Sequence, residues 1–271
     1  MYKARTYRNW VEDKGLVGFT VKLGESDLFI RADKTPPYKG IGGSIPVDKT
    51  PPYKGIGGSI PVDKLLNSQA QTCLGLHRRF IQGYIQKNPE FAAAVEPYSV
   101  KEDAPDIVKE MALAASKAGV GPMAAVAGAI AEYVGKDLLK YSSQVIVENG
   151  GDIFMKTDKI RKVGIFAGQS AYSGKLALEI ASKEGCLGIC TSSGNVGPSL
   201  SFGRADACVV ICNSAILADA WATRLGNEVK SASDVDRTLN LVKEKSEIKG
   251  AIIIIGDKIG AWGEIKLVHC S

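Results

Sequence analysis

Apolar and polar positions alternate along LVGFTVKLG, residues 16–24, and again along DLFIRA, residues 27–32, with Gly-Glu-Ser-Asp between them. A period of two broken by a short polar connection predicts a β-hairpin. From Asp63 to about Lys87 the period lengthens: Leu65, Leu66, Leu74, Leu76, Phe80, Ile81, Tyr84 and Ile85 recur at helical spacing, and the helix should stop before Asn88-Pro89. APDIVKEMALAASKAG predicts a second helix, with Asp103 as its N-cap and Pro105 in its first turn. A third begins at Gly121-Pro122 and is built from Ala124, Ala125, Ala127, Gly128, Ala129 and Ala131, side chains small enough for another backbone to come close. The free amides of its first turn should attract an anion.

Beyond these helices the pattern turns to strands: QVIVE, GDIFMK, KVGIFAG, KLALEI, LGICTS and ADACVVIC. An apolar helix over 216–227 follows, then a polar helix from Asp234 to about Lys245, and two last strands, AIIIIGD and GEIKLVHC. Strands in runs and helices in blocks favour an α+β fold with mainly antiparallel sheet over a doubly wound parallel one. Between the hairpin and the first helix, DKTPPYKGIGGSIPV occurs twice without a change, as Asp33–Val47 and Asp48–Val62. A solenoid needs at least three stacked units, and this density of Pro and Gly predicts an exposed duplicated loop at 33–62. GIGGS has a phosphate-cradling composition, but no strand precedes it and no clear helix follows, so spacer is the better reading.

Composition changes this picture only by exclusion. A chain of 271 residues, 45% apolar and 23% charged, can bury a sizeable core as one domain over 1–271. The net charge of +5 comes from scattered basic residues, with no basic stripe and no interleaved aromatics, which argues against nucleic-acid binding. The opening MYKARTYRNW lacks an apolar leader, and AGVGPMAAVAGAIA is shorter than a bilayer span. The expectation is a cytoplasmic protein that no membrane holds. Cys186 and Cys190 are four apart, as are Cys208 and Cys212. That spacing admits a zinc or iron–sulfur site, yet CVVIC is also what a buried strand looks like.

Three polar constellations need an explanation. In ILADAWATRLGN, Asp219 and Thr223 share one face of a helix otherwise apolar nearly all round, and a buried carboxylate needs a partner. Carboxylate and hydroxyl suit a hard cation such as Mg²⁺. Equally, Asp219 could pair with an arginine or cap a neighbouring helix, with Thr223 bonded to its own helix backbone. In VIVENGGDIF, Asn149, Gly150, Gly151 and Asp152 suit a tight hairpin turn closely flanked by Glu148 and Asp152. In CTSSGNVGPSLSFG, Thr191, Ser192, Ser193 and Gly194 follow an apolar strand, a composition able to hold phosphate or the polar edge of a flavin. No Gly-x-Ser-x-Gly elbow occurs, and His77 and His269 lie outside all three segments, so a Ser-His triad lacks support.

ADAWAT, ENGGDI and CTSSG resemble, in chemistry, motifs of the ApbE family, Mg²⁺-dependent flavin transferases that move FMN from FAD onto a protein threonine. RTYRNWVEDKGLVGFTVK, GVGPMAAVAGAIAEYVGKDLL, VIVENGGDIF and TSSGNVGPSLSFGRADA are similar to signatures of an uncharacterised bacterial and archaeal branch of that superfamily, over nearly the whole chain. The resemblance implies a T-fold-like architecture of two related halves. It also implies Mg²⁺ on Asp219 and Thr223, and FAD or a related phosphorylated cofactor near Asn149, Gly150, Gly151, Asp152, Thr191, Ser192, Ser193 and Gly194. Its partners would be a small-molecule flavin or nucleotide and an acceptor protein. Three departures bear on activity. GPMAAVAGA lacks the family's Lys-Gly and Asp, the His-Ile-x-Asp-Pro-x-Thr-Gly segment is missing, and Pro198 stands where the closer branch would have histidine. The alternative they raise is a flavin- or nucleotide-binding module without transfer chemistry.

Overall fold

The computed structural model of the chain describes residues 15–33, 62–181, 185–194 and 202–270. The expected hairpin is present as β1 (Leu16–Leu23) and β2 (Ser26–Asp33). Val21, Leu28, Ile30 and Ala32 put their apolar side chains into the main core, while Lys22 and Asp27, opposite each other on the other face, form an ion pair at 3.1 Å. Helix α1 (Val62–Lys87) follows, then the short α2 (Glu90–Ala93), α3 (Asp106–Ala118) and α4 (Val126–Leu138). The other elements are β3 (Val145–Asn149), β4 (Asp152–Lys156), β5 (Arg161–Gly164), β6 (Leu176–Ile180), β7 (Leu187–Ser192), β8 (Ala207–Cys212), α5 (Ala215–Glu228), α6 (Val235–Asn240), β9 (Ile248–Ile255), β10 (Lys258–Gly263) and β11 (Leu267–His269).

Eight strands form one sheet in the order β1-β2-β3-β4-β7-β8-β9-β10, and β11-β6-β5 form a second sheet of three. Every pairing is antiparallel. The large sheet divides into two units of the same plan, β1-β2-helices-β3-β4 and β7-β8-helices-β9-β10, joined where β4 pairs with β7. This is the α+β architecture of two related halves that the motifs implied. Helices cover one face of the sheet, and part of the other face meets the small sheet through Met155, Leu178, Ile189, Val209, Ile211, Ile252 and Ile254. Strand β8 is therefore buried throughout: Cys208, Val210 and Cys212 point to the helices, while Ala207, Val209 and Ile211 point to the small sheet.

Four expectations change. Asp103 does not cap α3; Pro105 immediately precedes its first residue, no side chain caps it, and the fixed φ of proline suits that boundary. The polar helix contracts to a 3-10 turn and α6, ending at Asn240. KIGAWG, unforeseen as a strand, is β10, because β9 supplies a partner along its whole length. GEIKLVHC narrows to β11. Of the duplicated loop, Asp33 alone has a described side chain: it accepts hydrogen bonds from Gln144 N (2.9 Å) and Gln144 Nε2 (2.7 Å), tying the hairpin to β3. The loop from 34 to 61, GIGGS included, lies outside the described residues, as does Pro198. No single described helix is long and apolar enough to cross a membrane. The pair α3 and α4 has the composition but is bent by 104° and largely buried against the rest of the fold.

Candidate functional site

The small residues of α4 do what their size permits. A Cβ on Gly128 would lie 2.2 Å from the Ala215 carbonyl oxygen and 2.8 Å from Asp219 Cβ, so only glycine lets α4 and α5 approach this closely. At that crossing each helix caps the other. Gly128 N in the first turn of α4 donates to Asp219 Oδ2 at 2.8 Å. Glu132 Oε2 of α4 accepts from Ser214 Oγ at 2.8 Å and Ile216 N at 3.1 Å, at the start of α5. The anion drawn to the first turn of α4 is thus Asp219 itself, and the helix-capping role holds for it. Glu132, which the sequence gave no reason to single out, is buried as well, and its other oxygen meets Lys136 Nζ at 2.8 Å.

The Asn149–Asp152 turn brings a second carboxylate to the same place. Asn149 and Asp152 face each other across the hairpin, and Gly150 and Gly151 take positive φ values of 72° and 124°, as mirror-image turns require. Asn149 Nδ2 donates to the Ala127 carbonyl at 3.2 Å, locking the turn to the start of α4. Asp152 is buried, and its Oδ1 has no hydrogen-bond partner. Burial, with repulsion from Glu148 behind it, pushes the Asp152 carboxyl up to about 7 against the pull of the Cys190 thiol and the Thr191 amide. Asp219 is raised well above the ordinary carboxylate range, first by burial and then by the charge of Asp152, against the Gly128 and Ala127 amides. Two buried carboxylates that repel each other, one with a bare oxygen, are the arrangement that a cation relieves.

Both face a cleft of about 1810 Å³ that reaches from the helix side round to the open face of the large sheet. Of the residues singled out in the sequence, Asn149, Gly150, Gly151, Asp152, Thr191, Ser192, Ser193, Asp219 and Thr223 all line it. Gly194 does not; its amide donates to the Ala205 carbonyl at 2.9 Å, and a Cβ there would meet the Gly203 carbonyl oxygen at 2.4 Å. Three segments separated by tens of residues therefore converge. Glu148 joins them from the opposite face of β3, since side chains alternate along a strand. Residues not singled out in the sequence complete the walls: Arg31, Arg78 and Arg161, Phe202, and Asn227 near the end of α5. Asn227 was findable, because Asp219, Thr223 and Asn227 follow at i, i+4 and i+8 on one helix face.

The donor set is hard: the carboxylates of Asp152 and Asp219 and the hydroxyl of Thr223. Among the described residues no group of three or more His, Cys, Asp or Glu side chains converges as metal ligands. A divalent cation on Asp152, Asp219 and Thr223 would therefore keep waters or take ligand phosphates, the usual habit of Mg²⁺. The cysteines give no such set. Cys190, Cys208 and Cys212 are free, buried in the main core, and have thiols that burial pushes up, while Cys186 is half-buried against the same core.

The chain is similar to known proteins in sequence and in fold. The chain is 42% identical over 201 residues to a "UPF0280 protein" of Methanosarcina barkeri (strain Fusaro / DSM 804), covering 73% of this chain and 79% of that one. A "UPF0280 protein" of Methanocella arvoryzae is 44% identical over 189 residues, 68% of this chain and 76% of the relative. Among solved structures, the apo form of Pseudomonas stutzeri flavinyl transferase ApbE superposes with a TM-score of 0.54 at 14% identity, over 92% of this chain and 94% of that one. That likeness concerns the fold. A family model described as "AbpE bacteria" matches residues 8–255, which take in the turn at 149–152, the end of β7 and the Asp219–Thr223 face alike, and the chain belongs to that family.

Proposed function

We propose that the cleft binds FAD or a related phosphorylated flavin together with Mg²⁺, and that the protein is an ApbE-like flavin transferase passing FMN to a threonine of an acceptor protein. The observation that carries this reading is the bare Oδ1 of buried Asp152 beside Asp219, on the wall of a cleft large enough for a dinucleotide. Asp219, Thr223 and Asp152 would hold the cation. Bound Mg²⁺ neutralises the charge that develops as a pyrophosphate bond breaks. Thr191, Ser192 and Ser193 offer hydroxyls and amides to phosphate oxygens, and Gly194 fixes the backbone behind them. The Asn149–Asp152 turn, pinned to α4 by Asn149, sets where Asp152 stands. The ApbE resemblance supports the choice of flavin, and the expected compartment is the cytoplasm.

A second reading keeps the binding and drops the transfer. The first turn of α4 carries no acidic side chain, and Asp219 already takes its Gly128 amide. The position where the ApbE pattern has a charge is thus occupied by packing. Calorimetry of FAD with and without Mg²⁺ tests the binding: the expected result is Mg²⁺-dependent binding that Asp219→Ala removes, and binding indifferent to both would refute the metal role. Mass spectrometry of a threonine-containing acceptor incubated with FAD then separates the readings, since only a transferase adds the mass of FMN.

A further inference from the structure

Phe202 is 55% exposed at the wall of the cleft, so its phenyl ring is open to contact from there. Its backbone is nonetheless firmly held. Phe202 N donates to Asn227 Oδ1 at 3.0 Å, and its carbonyl accepts from Lys230 Nζ. The next residue, Gly203, presses on α5 so closely that a Cβ there would lie 1.7 Å from the Gly226 carbonyl oxygen. Arg204 N then donates to the Val229 carbonyl at 2.8 Å. The ring is thus presented from a fixed base, which lowers the ordering cost of any contact it makes. That base is the end of the face already described, since Asn227 lies two helical turns beyond Asp219 and one beyond Thr223. At ~1.5 Å of rise per residue, Asp219 and Asn227 stand about 12 Å apart along the axis. A sugar-sized arm fits between a phosphate near Asp219 and a ring beside Phe202.

We propose that Phe202 is the stacking wall for the planar ring of the bound ligand, and the residue that makes the cleft prefer a ring-bearing phosphate to a bare one. This rests on the function proposed above and adds the group that reads the ring. Planar heteroaromatic rings stack on phenyl faces whatever their substituents, so isoalloxazine and adenine are both eligible.

The test is calorimetry of the full chain in Mg²⁺ with FMN, ADP and inorganic pyrophosphate, for wild type, Phe202→Ala and Phe202→Trp. Phe202→Ala should weaken at least one ring compound by roughly 5- to 150-fold, leave pyrophosphate unchanged, and leave the melting temperature near that of the wild type because the ring is exposed. Phe202→Trp should restore the lost affinity and show indole fluorescence quenched on FMN binding. Loss confined to FMN assigns the wall to isoalloxazine, and loss for ADP as well assigns it to any planar ring. Unchanged FMN and ADP affinities in Phe202→Ala, or an equal loss for pyrophosphate, would overturn the proposal. Wild type that binds pyrophosphate but neither ring compound overturns Phe202's role alone. Wild type that binds none of the three overturns the function it rests on.

Discussion

The starts of α4 and α5 use the same device and differ in how far they complete it. Each puts a buried carboxylate from one helix against the first-turn amides of the other. Glu132 is saturated, with Ser214 Oγ and Ile216 N on one oxygen and Lys136 on the other. Asp219 has backbone amides on one side and, on the other, the like charge of Asp152. A carboxylate whose oxygens are all matched stabilises the fold. One facing a second buried carboxylate costs stability until something positive arrives. The difference separates a packing device from a site, although both residues sit at helix starts and both are buried.

Four substitutions break or sharpen that contrast. The largest effect should come from Gly128→Ala, which forces α4 off Ala215 and Asp219 and disrupts both caps; a loss of about 3 kcal/mol is expected in chemical unfolding. Glu132→Ala strands the start of α5 and should cost about 2 kcal/mol in the same measurement, with Mg²⁺ binding retained by the folded fraction. Asp219→Asn keeps an acceptor for Gly128 and removes the charge, so stability should change little. Its Mg²⁺ affinity should fall at least about tenfold in calorimetry, since even residues behind metal ligands cost that much.

The fourth substitution has the opposite sign. Asp152 titrates near 7 in the folded chain and near 4 unfolded, so the folded state holds its proton more tightly. The metal-free protein should therefore lose stability as pH rises from about 4 through about 7, and Asp219, raised by the same burial, carries the loss further. Asp152→Asn should make that slope shallower and leave the metal-free protein more stable than wild type at pH 8 in chemical unfolding. A variant less stable than wild type at pH 8 would show that Asp152, like Glu132, serves the packing.

Much of the fold was legible because local pattern and tertiary context agree. The hairpin of β1 and β2, α1, the apolar α5 and the doubly buried β8 all announce themselves by period, as does the Gly-Gly turn at 150–151. KIGAWG did not, since glycines and alanine break its alternation and its strand character is borrowed from β9. Asp103 looked like a cap because its residue type suits one, but the chain places Pro105 at the boundary instead. Within the site, the three segments were each visible, and Arg161 and Phe202 were not; nor was Glu132 at the neighbouring helix crossing. A glutamate, an arginine and a phenylalanine have unremarkable local signals, and their surroundings are set by segments remote in sequence.

By itself the sequence determined which residues are chemically able to form a site, because glycine turns, helical spacing and hydroxyl-rich strand ends are properties of neighbours along the chain. Tertiary structure alone decided that Asp152 meets Asp219, that Glu132 is matched while they are not, and that Phe202 stands at the end of their face. Those are facts of burial and distance between segments remote in sequence, and burial and distance set what a carboxylate or an aromatic ring can do.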